Sequence, residues 1–230
     1  MGPPRAAGRW SLVADLVGEG RSPTERGHAT ALALLERHGV VTREAVLAEG
    51  LAGGFASVYP VLKAMEEAGR VRRGYFVAGL GAAQFAMPGA VDRLRAAREV
   101  ETRGADHAVI LAAADPAQAY GAALPWPRRD DAERLPLQRA AGAYVVLVDG
   151  MPALYLERGG RGLLTLPAAD DGEVLDIALS VLPGMVQPDG PLRELRLERV
   201  DRLPPAESPL AARLQEIGFR QSYRGYLLGR

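Results

Sequence analysis

With 230 residues, 48% hydrophobic and 24% charged, the chain is long enough to bury one large core or two small ones and too apolar for global disorder. Its 28 basic residues are balanced by 28 acidic ones, so any face that binds a polyanion must come from local segregation of charge. The absence of Cys excludes disulfides and thiolate zinc sites, and His28, His38 and His107 are too few for a His-rich metal site.

No signal peptide and no apolar run of about 18 residues is present, so a soluble cytoplasmic chain without a membrane partner is expected. Lys63 is the single lysine. The forked guanidinium of the remaining cations suits phosphate, although codon composition alone accounts for such a bias.

In chain order, Met1–Gly8 is Pro/Gly-rich, as frayed ends are, and Trp10–Val13 is a short apolar run expected to lie extended against a sheet. So abrupt a start is expected of a segment of a longer polypeptide. Ser22-Pro23-Thr24-Glu25 predicts a helix start, with Ser22 as cap, Pro23 in the first turn and Glu25 completing a capping box. That helix carries Ala31, Leu32, Leu34 and Leu35 and stops at Gly39; Thr42 caps a second, shorter one ending at Gly50. Two helices joined by the turn His38–Val41 resemble the first part of a helix-turn-helix unit.

A third helix follows Gly53-Gly54. Phe55, Val58, Leu62 and Met65 form one stripe at helical spacing, and Pro60 requires the helix to begin near Ser57. Ser57, Tyr59, Lys63 and Glu66 fall away from the stripe. Arg70–Val77 predicts a strand, Gly79 and Gly81 a hairpin tip, and Ala83–Met87 the return. A charged helix begins after Pro88-Gly89, and the domain boundary is expected between Arg98 and Asp106.

Beyond it the texture changes to apolar strands divided by Pro and Gly: Ala108–Ala113, Ala143–Asp149, Ala153–Glu157 and Gly162–Leu166, with turns at Asp149-Gly150 and Gly159-Gly160. A helix at Asp170–Leu182, a strand at Glu194–Val200, a helix at Ser208–Ile217 and a strand at Tyr223–Leu228 complete the pattern. The expected fold class is α+β: an extended segment over 1–21, a winged helix-turn-helix domain over 22–103, and over 104–230 a β-rich, partly closed barrel-like domain with two helices.

The third helix and wing hold the chemistry. Lys63, Arg70, Arg72 and Arg73 against Glu66 and Glu67 leave two net positive charges in a neutral chain. Ser57, Tyr59 and Lys63 on the helix, with Arg70, Arg72, Arg73 and Tyr75 on the wing, are therefore the candidate DNA contacts. The competing reading is a solvated hairpin in a winged helix used for protein packing. Phe76 and Phe85 are assigned to core, whereas Tyr75 suits either base stacking or packing. A second basic region, Arg213, Arg220, Arg224 and Arg230, faces only Glu216 and either extends a DNA path or is a solvated tail.

Catalytic signatures are sparse. Neither G-x-x-x-x-G-K-[ST] nor G-x-S-x-G occurs. Asp115 and Asp149 follow strands in Asp-Pro and Asp-Gly pairs, which are ordinary turn formers. The cluster Asp170, Asp171, Glu173 and Asp176 has the charge a helix N-terminus favours, and no metal is assigned.

The run GVVTREAVLAEGLAGGFASVYPVLKAMEEAGRVRRGYFVAGLGAAQFAMPGAVDRLR closely resembles the C-terminal region of the large helicase-related (Lhr) family. AAADPAQAYGAALPWP, GAYVVLVDGMPALYLERGGRGLLTL and GFRQSYRGYLLGR look like the same family, so the resemblance covers nearly the whole chain. It implies the last winged helix and the terminal barrel-like module of an ATP-dependent DNA-repair helicase, which moves 3′ to 5′ on single-stranded DNA. The ATP- and Mg-binding RecA-like lobes of such a parent are absent from this chain.

The implied partners are DNA, single-stranded or forked, the rest of the helicase polypeptide, and a second copy of the chain in an assembly reading. That extension resembles the AlkZ-type DNA glycosylases, and some family members are described as uracil-DNA glycosylases. Of the Gln-apolar-Gln or Gln-apolar-Asp motif of the AlkZ type, Gln84-Phe85-Ala86 offers the first half only. Asp115 is the remaining candidate for a glycosylase carboxylate, one that activates water against the sugar of a flipped nucleotide. The expected role is DNA binding without catalysis in isolation, with glycosylase and oligomerisation modules as alternatives.

Overall fold

A computed structural model describes residues 12–14, 21–81, 83–100 (backbone alone for 98–100), 107–128 and 137–229. The Pro/Gly-rich start, Trp10, Ser11, residues 101–106 and Arg230 lie outside the described residues. The chain divides into two compact units, Met1–Ala90 and Val91–Arg230.

The first unit starts with α1 (Pro23–His38), whose Ser22 side chain accepts from the Glu25 amide while the Glu25 carboxylate accepts from the Ser22 amide. Both bonds of the capping box are therefore made, and the Gly39 amide closes the other end on the Leu35 carbonyl. The segment between α1 and α2 (Arg43–Ala48), expected as a plain turn, holds a strand β1 (Val40–Val41), and Thr42 caps α2 through the Ala45 amide. α3 spans Gly54–Glu67, so Pro60 lies inside it, a correction to the expected start near Ser57. Proline removes one bond, to the Ala56 carbonyl; Ala56 and Pro60 both face solvent, so water meets that carbonyl.

Leu34, Leu35, Val46, Val58, Leu62, Met65 and Phe85 close the core of this unit. β1 pairs with β3 (Gln84–Ala86), which pairs with β2 (Arg72–Gly74), giving a three-stranded antiparallel sheet in the order β1-β3-β2. The wing strands are shorter than the sequence predicts, for a reason that lies in Gln84 below. Leu12 and Val13, expected as a strand or an extended segment docked on a sheet, are exposed, and Val13–Ala14 is helical. α4 (Ala90–Val100) follows.

The second unit holds a five-stranded sheet in the order β4-β5-β6-β7-β9 and a three-stranded sheet in the order β10-β11-β8. In the first, β4 (Ala108–Ala112), β5 (Tyr144–Val148), β6 (Met151–Leu156) and β7 (Gly162–Thr165) are antiparallel neighbours, and β9 (Arg199–Val200) lies parallel to β7. The β5–β6 turn is the expected Asp149-Gly150, both at positive φ (48° and 82°), as a two-residue hairpin loop requires. Pro152 follows it at a register shift, where the missing amide is tolerated.

Side chains of β6 alternate between two clusters. Leu154 and Leu156 pack with Leu175, Leu179 and Leu182 from α5 (Gly172–Ser180) and its continuation, whereas Tyr155 packs with Ala113, Ala143 and Trp126. Glu194–Val200, expected as one strand, divides at Glu198. β8 (Glu194–Leu197) belongs to the three-stranded sheet, whereas β9 belongs to the five-stranded one. α6 (Ala211–Glu216) leads into the hairpin of β10 (Arg220–Ser222), absent from the expected elements, and β11 (Gly225–Gly229). The unit is mixed helix and sheet, and the barrel is not closed into a single sheet.

Candidate nucleic-acid interface

The wing is built around one buried amide. Past Gly74 the β2–β3 ladder stops, and the Gln84 side chain replaces it: its oxygen accepts from the Phe76 and Val77 amides, each at 2.8 Å. Its nitrogen donates to the Val77 carbonyl at 3.0 Å and the Leu80 carbonyl at 3.3 Å. Gln84 is fully buried, so every polar atom of its side chain is satisfied by the wing backbone. This explains why the wing strands are short. A side chain, rather than strand pairing, fixes the path from Tyr75 to Leu80. It also accounts for Gln84 physically: the amide that resembles half of a catalytic motif is bonded on both sides to the main chain.

The aromatics separate accordingly. Phe85 is fully buried, and Phe76 is half-buried against Val40, Ala86 and Ala90, so both take the core roles expected of them. Tyr75, between Gly74 and Phe76, is 88% exposed and free to meet a ligand. Tyr59 departs from expectation. It is half-buried, with its ring 5.9 Å from Phe85 edge-on and 5.8 Å from Phe55, so it belongs to the aromatic packing beneath the wing. A periodicity count misses this because Phe85 approaches the flank of α3.

The charges are unequal in availability. Arg73 Nε sits 3.2 Å from Glu66 Oε1, and Lys63 Nζ 3.8 Å from Glu67 Oε1, both near the surface. Arg70 and Arg72 are exposed, with no ion-pair partner among the described residues, so the local positive excess rests on them. Exposed pairs such as Arg73–Glu66 contribute roughly 0–1 kcal/mol, so a phosphate can compete for the guanidinium. Ser57 is exposed on the first turns of α3 and donates to the Gly54 carbonyl at 2.7 Å. An open groove of about 810 Å³ runs between the start of α1 and α3, with His28, Ser57, Val61, Ala64 and Arg70 on its walls.

At the end of α2, Glu49 ties the first two helices together. Its carboxylate accepts from the Arg37 guanidinium and lies 3.0 Å from His38 Nε2. The Arg37 hydrogen bond holds its pKa below the ordinary value; desolvation opposes this, and the His38 contact adds a lesser lowering.

In the second unit, Asp115 is half-buried in the loop after β4, and its Oδ1 accepts from the Ala117 amide at 2.8 Å. Arg139 donates to the Asp115 and Gln118 carbonyls, and buried Gln118 bonds to Ala113 and Tyr120. Asp115 thus closes a turn in a braced loop. Asp171 caps α5 through the Glu173 and Val174 amides, and Asp176 pairs with Arg213 at 3.3 Å. Among the described residues no group of His, Cys, Asp and Glu is arranged to hold a metal. No described helix is long and apolar enough to cross a membrane.

Three helices, a three-stranded antiparallel sheet and a hairpin wing define the first unit as a winged-helix domain. Residues 20–106 match the family model of the large helicase-related protein, winged-helix domain. Two curated relatives extend the match. One, from Mycolicibacterium smegmatis and named Lhr helicase/probable uracil glycosylase, is 47% identical over 200 residues, 86% of this chain. The other, from Escherichia coli and named Lhr helicase/uracil glycosylase, is 38% identical over 224 residues, 96% of this chain. Residues 20–106 are thus a winged-helix domain of the Lhr family, and the chain is similar to these relatives over most of its own length while spanning only 13% and 14% of theirs.

Proposed function

We propose that this chain is the DNA-engaging C-terminal segment of an ATP-dependent Lhr-type DNA-repair helicase, binding single-stranded or forked DNA alongside the rest of the polypeptide. ATP and Mg would be held by the parent's core rather than by this segment. One observation carries the reading: the Gln84-braced wing presents exposed Arg72 and Tyr75, with Arg70 close in sequence, and neither arginine is neutralised by a described carboxylate. Arginine supplies the phosphate contact, and an exposed ring supplies a surface for a base.

The test is fluorescence anisotropy of labelled DNA at several salt concentrations with the double variant Arg72→Ala/Arg73→Ala. Affinity should fall, and the slope of log K against log salt should flatten by about 0.9 per phosphate contact removed from duplex DNA. Unchanged affinity and slope would remove the wing from the interface.

The names of the two relatives favour a second reading, a uracil-DNA glycosylase module. Its test incubates the chain with uracil-containing DNA and cleaves abasic sites with alkali; no cleavage above the blank rejects the reading for this chain. Asp115→Asn separates chemistry from folding, because the Asn oxygen still accepts from the Ala117 amide.

A further inference from the structure

Among the described residues, the most exposed large hydrophobic side chain is not on the wing. Tyr223, at the tip of the β10–β11 hairpin, is 99% exposed. Ser222 pairs with Gly225, leaving Tyr223 and Arg224 as the two loop residues. The hairpin is anchored firmly below them. Tyr226 and Leu228 are buried, Gln215 donates to the Tyr226 hydroxyl at 2.8 Å, and β11 pairs with β8 along Tyr226–Gly229. Gly225 adopts φ 113°, and a Cβ there would run into the Leu197 carbonyl oxygen, so the hairpin leaves the sheet by a route only glycine permits. A fully solvated aromatic on so well fixed a support is not explained by packing.

The surrounding charge is mainly positive. Directly opposite residues in an antiparallel ladder share a face, which places Arg220 (β10), Leu227 (β11) and Arg196 (β8) in one row, with Ser222 next along β10. Glu194 partly neutralises Arg196, at 3.1 Å, and Glu198 sits with Arg161 instead. Arg220 and Arg224 are exposed, with no ion-pair partner among the described residues. A solvated ring flanked by two unneutralised guanidinium groups matches the chemistry of an unpaired base and its neighbouring phosphates.

We infer that the β10–β11 hairpin is a second DNA site, in which Tyr223 stacks on an unpaired base while Arg220 and Arg224 hold the adjacent backbone. It rests on the reading of the chain as DNA-binding but uses none of the wing residues. A stacking site discriminates strand form: an unpaired base offers its face, whereas a duplex keeps its faces stacked away.

The experiment titrates labelled oligothymidine and a blunt duplex with the whole chain and with Tyr223→Ala, Tyr223→Phe and Arg220→Ala/Arg224→Ala. Tyr223→Ala should weaken single-strand binding by roughly fivefold to a hundredfold, the equivalent of one lost base stack, and leave duplex affinity unchanged. Tyr223→Phe should keep the wild-type affinity, since the ring and not the hydroxyl does the stacking, and the arginine pair should reduce the salt dependence. Thermal melting should match the parent for the Tyr223 variants.

Equal single-strand affinity in Tyr223→Ala and the parent overturns the inference. So does equal weakening on both DNA forms. The wing variant Arg72→Ala/Arg73→Ala run alongside keeps the two readings apart. If it weakens binding while Tyr223→Ala does not, DNA binding stands and the hairpin site falls. The converse result removes the wing and keeps the hairpin.

Discussion

Replacing Gln84 by leucine tests whether one buried amide sets the shape of the wing. Leucine conserves much of the volume and keeps the site apolar, but it removes both the acceptor for the Phe76 and Val77 amides and the donor to the Val77 and Leu80 carbonyls. Each such bond has a net worth of about 0.5–1.5 kcal/mol, and a buried amide left without an acceptor costs about 1–3 kcal/mol. Phe76 and Val77 are half-buried, so part of that cost is recovered as water enters.

A local destabilisation of about 2–3 kcal/mol follows, equivalent to roughly 30- to 150-fold faster opening of the wing. Hydrogen exchange followed peptide by peptide is the appropriate assay, because the two units need not unfold together. The acceleration should be confined to the segment from Tyr75 to Leu80, with protection in α1 and the second unit unchanged. Identical exchange in the variant would show that β2–β3 pairing alone holds the wing and that Gln84 does not brace it.

Three further outcomes are expected. The Glu49 carboxyl is held below its ordinary pKa by Arg37, so its contribution to stability is full above the unfolded-state value and is lost as pH falls toward the folded one. Glu49→Gln should therefore flatten the acid side of the melting-temperature profile of the first unit, and an unchanged profile would count against the pair. Gly225→Ala should destabilise the second unit by about 3 kcal/mol or more, through positive φ and collision with the Leu197 carbonyl; a urea midpoint equal to the parent's would refute this. Glu66→Gln frees Arg73 and should raise DNA affinity modestly at low salt, with the gain disappearing as salt is added.

What the sequence exposes here is local, and what it conceals is long-range. The Ser22–Glu25 capping box, the Thr42 cap and the Asp149-Gly150 turn are settled by residues within three or four positions of each other, and each appears as expected. β1 stays hidden because two residues carry no periodicity; only pairing with Ala86 and Phe85, about 45 positions downstream, makes them a strand. Pro60 is misleading because the cost of proline depends on whether water can reach the orphaned carbonyl, and that is a property of the assembled surface. In the candidate site, Arg70, Arg72 and Tyr75 are legible as types in a hairpin. Three facts arise only in the folded chain: that Glu66 engages Arg73, that Tyr59 turns toward Phe85, and that Gln84 braces the loop.

The division of Glu194–Val200 at Glu198 has a mechanical consequence. β8 ends in the sheet that carries the Tyr223 hairpin, and a single residue later β9 begins beside β7 in the other sheet. The amides of Glu198 and Arg199 both bond to the Arg161 carbonyl, so this link is clamped on the strand side of β7 rather than slack. A pull on the hairpin tip is therefore shared along the β11–β8 ladder and delivered through the single residue Glu198 to the five-stranded sheet. The tip is the end of a braced lever, and a load placed on it passes to both sheets of the second unit.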